Sequence, residues 1–170
     1  MNRKEYNWRI GVLAVILTLA LLMGGQAAWN KYFVAQPLDK VFTGIDGVRK
    51  SSWEEGKKDD AVQIYITLAN AADFAKTYGA IAEGAKGVLG AKPFKIRLAD
   101  SRTPELEQFY YNAHYHLQEA IQTGRFSDMA DRVQALARDA GVTARIYVES
   151  KAVYVQLEKD GAQMYIVVPR

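Results

Sequence analysis

The sequence contains no cysteine. That absence excludes disulfide cross-links, thiolate nucleophiles and thiolate metal ligands together. It leaves the compartment open, because an extracytoplasmic domain with an adequate core needs no disulfide. Histidine is almost as scarce, and the two present, His114 and His116, stand two positions apart. On a helix that spacing turns through about 200°, so the pair cannot grip one ion as an i,i+4 pair does. No metal ligand set and no cofactor are therefore expected. The serines, at positions 51, 52, 101, 127 and 150, fall in no Gly-x-Ser-x-Gly elbow and no Ser-x-x-Lys pair. The glycine-rich stretch GAKGVLGAK follows no strand pattern and carries no phosphate-loop spacing. With no catalytic residue to assign, a non-enzymatic protein is expected.

Excess charge is also lacking where it would matter. The formal net charge is +3, but Arg3, Lys4 and Arg9 against Glu5 place +2 of it in residues 1–9. The remaining chain is close to neutral, without the electrostatic footprint that nucleic-acid binding requires. No nucleic-acid partner is expected.

What is present begins with an apolar run. Residues 10–23 carry no charge and one hydroxyl, Thr18, and weakly polar residues continue to Ala28. Trp8 and Trp29 bracket this run at a spacing of roughly 31 Å along a helix, close to the thickness of a bilayer core. Tyr6 and Tyr32 reinforce the two interfacial girdles. The reading adopted is a single transmembrane anchor over 10–28, with the lipid bilayer as its partner. The alternative is a signal peptide cleaved after the small residues at 25–27. The basic residues at 1–9 favour a cytoplasmic N-terminus, which puts the following domain outside the cytoplasm, as a single-pass protein of the cell membrane. A juxtamembrane segment over 29–47 follows, in which Leu38, Val41, Phe42 and Ile45 have the spacing of a short helix.

Residues 48–170 read as one α+β domain. Strands are expected over 48–55, 61–68 and 94–98, the first two joined by the polar GKKDD turn. A helix is expected over 72–89, weakened by Gly79, Gly84 and Gly87, which are suited to close approach of the helix to a sheet. Thr103, Pro104 and Glu105 form a capped start for a helix running to about Gln122. A further helix is expected from Ser127 or Asp128 to Gly141. The last 28 residues contain three alternating segments, with Asp160-Gly161 as a two-residue hairpin turn, and predict a three-stranded meander. The expected fold is a five- or six-stranded antiparallel or mixed sheet with three main helices largely on one face.

Two candidate surfaces emerge. On the helix after Pro104, the stripe of Leu106, Phe109, Tyr110, Ala113, Leu117, Ala120 and Ile121 faces inward. Nearly opposite lie Gln108, Tyr111, Tyr115, Gln118 and Gln122, an uncharged aromatic and amide strip where Lys and Glu are usual. Such a strip suits a protein contact, unless another element covers it. The second surface is one face of the meander, carrying Arg145, Tyr147, Tyr154, Gln156, Tyr165 and Val167, which could stack a sugar. Tyrosine is equally a favoured strand residue, so packing alone also accounts for it. The leading expectation is an envelope interaction or assembly domain that docks a protein partner or a second copy of itself. A glycan-binding domain using the sheet tyrosines, and a secreted hydrolase, are the alternatives.

Overall fold

A computed structural model describes residues 12–21, 36–55, 61–69 and 73–170 of the chain. The expected anchor is represented by residues 12–21 alone, which are helical and exposed throughout. Among the described residues no helix is long and apolar enough to cross a membrane. The rest of the 10–28 run, the basic N-terminus with both girdles, the GKKDD turn and the expected helix start at Ala72 lie outside the described residues.

The domain is α+β. Its first half runs α1 (Gln36–Thr43), β1 (Val48–Glu55), β2 (Val62–Leu68), α2 (Phe74–Leu89) and β3 (Phe94–Ala99). Strand β2 pairs antiparallel with β1 and parallel with β3, α2 forming the crossover. The period-2 pattern of β2 buries Val62, Ile64, Ile66 and Leu68, as the sequence predicts. Leu38 and Phe42 of α1 and Phe74 and Ile81 of α2 close over that face. Helix α2 opens at Asp73, whose side chain accepts a 3.0 Å bond from the Lys76 N–H.

The second half runs α3 (Pro104–Thr123), α4 (Phe126–Ala140), β4 (Thr143–Val148), β5 (Ala152–Lys159) and β6 (Ala162–Pro169). Thr103 caps α3 by accepting from the Leu106 N–H, with Pro104 at the first helical position. Asp160 and Gly161, at φ 51° and 79°, form the expected hairpin turn, for which two consecutive positive φ values are needed. That turn sets the β5–β6 register, Tyr154 opposite Val167 and Gln156 opposite Tyr165, and the tight turn at Ser150-Lys151 sets the β4–β5 register, Tyr147 opposite Tyr154. Val153, Val155, Leu157, Met164 and Val168 pack against Leu106, Phe109, Leu117, Met129 and Val133 of α3 and α4.

The expected five- or six-stranded sheet is not formed. The strands make two separate three-stranded sheets, β1-β2-β3 and β4-β5-β6. Nor do the helices lie largely on one face. Central strand β5 is buried continuously from Ala152 to Leu157, so both of its faces need cover. Helices α3 and α4 cover one face. The other is packed on α2, which also roofs the first sheet. With α2 as a shared layer, the two sheets lie over it and do not join edge to edge. Hydrogen bonds bridge them where the chain leaves β3 and runs beside β6. There the Ser101 N–H donates to the Gln163 carbonyl at 3.0 Å, and the Gln163 N–H donates to Ser101 Oγ at 2.9 Å.

Candidate functional site

Helix α3 carries the site because its sequence is amphipathic in an unusual way. Leu106, Phe109, Ala113, Leu117 and Ala120 are buried, and the opposite side is uncharged rather than salt-bridged. Tyr111 and Tyr115 are 59% and 58% exposed, so among the described residues nothing covers them. One helical turn apart, their rings meet edge to face with centroids 5.6 Å apart. The Tyr115 hydroxyl donates to that of Tyr111 at 3.1 Å, which raises the Tyr115 pKa above the ordinary phenol value because ionisation would lose that bond. Gln108 and Gln122 are exposed and Gln118 is half-buried, so the strip is continuous along the helix. Charge returns at its margins, at Glu107 one turn before Tyr111 and at Glu119, which takes ion pairs from Arg125 and Arg132.

Tyr111 and Tyr115 of the strip form one bank of a groove of about 740 Å³, a volume in the range of ligand sites. Its other walls are β3, through Ile96, Arg97 and Leu98, and β6, through Met164 to Val167. Tyr110 and His114 line the α3 side, with the His114 ring edge to face with both Tyr110 and Tyr115. Burial raises the Tyr110 pKa, keeping its hydroxyl neutral well into alkaline conditions. Three charged groups border the groove: Arg97, Arg102 and Glu107. Arg102 is committed to Asp100, with bonds of 2.9 and 2.8 Å to the two carboxylate oxygens. The walls can stack, desolvate and hydrogen-bond an occupant.

The other candidates are placed differently. Tyr154, Gln156 and Tyr165 are buried, Tyr147 and Val167 are half-buried, and only Arg145 is exposed. The ring of Phe74 lies 5.8 Å from Tyr154 and 5.0 Å from Tyr165, and Tyr78 lies 5.7 Å from Tyr154. The strand tyrosines are thus core under α2, and no open platform exists there for a sugar. The two histidines diverge as their spacing requires, His114 toward the groove and His116 toward Glu119 and Arg132. Among the described residues no group of three or more His, Asp or Glu is placed to hold a metal ion. Val167 belonged to the expected sheet surface, but sequence reasoning did not reach the other groove walls, Ile96, Leu98 and Tyr78. Their alternation and spacing were visible, but nothing in the sequence indicated that β3 and β6 would both be sheet edges.

No protein-family model, no curated protein and no solved structure matches the chain, so the site is read from its own geometry.

Proposed function

We propose that this chain is a non-enzymatic, membrane-anchored interaction domain of a bacterial envelope, carried outside the cytoplasm and docking a protein partner or a second copy through α3. The observation that carries the reading is the exposed, uncharged Tyr111/Tyr115 pair on the bank of an open groove. Tyrosine supplies large contact area at low entropic cost and is enriched where proteins bind each other. The anchor is supported by residues 12–21, a helix whose apolar side chains are exposed all round, Leu13 and Leu21 by 68% and 69%. Such a helix is stable in lipid or under another protein, not in water. Its orientation rests on the basic residues at 1–9.

The test is photo-crosslinking in intact cells, with a photoreactive phenylalanine replacing Tyr111 or, as a control, the exposed Asp131 of α4. Discrete crosslinked species from position 111 alone, lost when Tyr115 is changed to Glu, are expected. Equal labelling from both positions, or none from either, refutes docking at this face.

A further inference from the structure

We infer that the occupant of the groove is an extended polypeptide segment, alternating apolar and acidic residues, that adds as a fourth strand to the outer edge of β3. This rests on the docking reading above and specifies what docks. The hydrogen-bond phase of β3 is set by the bond from the Val62 N–H to the Pro93 carbonyl. With Val62 opposite Phe94 in a parallel ladder, the backbone groups of Lys95, Arg97 and Ala99 turn toward β2. Those of Ile96 and Leu98 therefore turn away from β2, and both residues line the groove. Among the described residues they take no backbone hydrogen bond, so the groove presents two donors and two acceptors at strand spacing. An edge of that kind is a template for another strand.

The opposite wall repeats the pattern. Two-residue closure of the β5–β6 hairpin makes Lys159–Ala162 a hydrogen-bonded pair, so Gln163, Tyr165 and Val167 point their backbone groups away from β5. At Gln163 and Tyr165 the chain already uses this edge. Ser101 exchanges bonds with Gln163, and the Asp100 carboxylate accepts from the Tyr165 N–H at 3.3 Å. The chain then leaves the edge for α3, and Val167, further along, lines the groove. Asp100 and Ser101 show, inside the molecule, how extended backbone and a carboxylate seat against these strands.

Side-chain chemistry narrows the occupant. Ile96 and Leu98 are half-buried toward the groove, while Lys95 and Arg97 are exposed on the other side of β3. A strand paired with β3 shares its alternation, so its groove-side residues are apolar and the residues beside Arg97 are acidic. Glu107 sits across the groove on α3, beside Arg102, and leaves Arg97 as the cation an acidic residue would meet. The same cations discourage basic strands, the equivalent edge of a second copy included.

Titration of the full-length protein in detergent micelles with a fluorescently labelled alternating Glu–Val octapeptide tests this, using anisotropy. The charge-reversed Lys–Val peptide is the specificity control, and two backbone N-methylated versions block alternate sets of amides. Saturable binding is expected for the Glu–Val peptide, about tenfold tighter than for the Lys–Val peptide. N-methylation of one alternate set should cost about ten- to a hundredfold, the value of the two hydrogen bonds to the Ile96 and Leu98 carbonyls, and of the other less than twofold. Leu98→Pro removes a groove-facing N–H without touching the bonds to β2 and should weaken binding about tenfold, the value of one lost hydrogen bond. Where that variant does not fold, the N-methylated peptides decide. Equal sensitivity of the two sets, equal binding of the charge-reversed peptide, or no saturation by any peptide overturns the inference. Crosslinks from position 111 that persist after such a result leave docking standing and remove only the strand. Loss of both removes the docking reading as well.

Discussion

The three glycines of α2 are chemically identical and should respond to alanine in opposite directions. At Gly79 an added Cβ meets nothing within 4 Å. Its only effect is to remove backbone freedom from the unfolded chain and improve helix propensity, worth about 1 kcal/mol. At Gly84 the added Cβ falls on Val41 Cγ1, closer than real side chains approach each other. Val41 is β-branched and stiff, and it sits on α1 between Leu38 and Phe42, which are 0% and 1% exposed. Relief therefore requires either an off-rotamer valine or an outward shift of α1 from its core. Overpacking of this sort costs about 1–3 kcal/mol, so after the helix-propensity gain the net loss is about 0–2 kcal/mol. The two alanine variants should differ by about 1–3 kcal/mol.

Thermal or urea unfolding of the full-length protein, followed by circular dichroism, measures that gap. Gly79→Ala should raise the melting temperature by about 3 °C. Gly84→Ala should leave it unchanged or lower it, and Val41→Ala should be less harmful when combined with Gly84→Ala than alone, because the new methyl fills the space vacated. A coupling of at least about 0.5 kcal/mol in that direction is the signature of direct contact. If Gly84→Ala stabilises as much as Gly79→Ala and the cycle is additive, α1 does not lie against α2 as described.

Gln156 is 2% exposed and its Oε1 has no hydrogen-bond partner among the described residues, so Gln156→Met should hold stability constant or raise it by about 1 kcal/mol; a clear loss in denaturant midpoint would show that the amide is paired. Thr103→Ala should cost about 1 kcal/mol through loss of the α3 cap, and Thr103→Ser should restore it, read from the same melts. Burial raises the pKa of Tyr78, Tyr110 and Tyr154, so the folded state holds their protons where the unfolded chain has released them. Stability from these groups is complete below the unfolded tyrosine pKa of about 10 and declines as pH rises through the folded values. Tyr110→Phe should flatten that alkaline decline, and an unchanged slope would show that its hydroxyl titrates normally. Glutamate at both Tyr111 and Tyr115 should leave the fold intact, since both positions are exposed; unfolding would mean the strip is covered.

What was legible in the sequence was local. The alternation of β2, the Asp160-Gly161 turn, the Thr103-Pro104 start and the inward stripe of α3 each depend on neighbours within a few residues, and each forms as read. The register of the meander was legible for the same reason, because a two-residue hairpin leaves it no choice. Helical phase alone put Tyr111 and Tyr115 opposite the core stripe, while their exposure was left open because it depends on whether another element covers them.

The features left open or misread were those decided between elements. A tyrosine face on a sheet looks the same in sequence whether it meets solvent or a helix, since tyrosine suits both. Phe74 and Tyr78 of α2 settle it, and neither residue carries a sign that its targets lie at Tyr154 and Tyr165, far downstream in the chain. The sheet count failed for a related reason. Six strand patterns do not state which strands are edges, and placing α2 between the sheets turns β3 and β6 into edges that a single sheet would have paired. The groove is a consequence of that division. Had the six strands closed into one sheet, Ile96, Leu98 and Val167 would be satisfied internally and the tyrosine strip of α3 would border a flat surface. The same burial of the tyrosine face that removes one candidate site thus creates the open edges that make the other, and the two cannot be altered independently: a substitution that loosens α2 from Tyr154 should also close or reshape the groove.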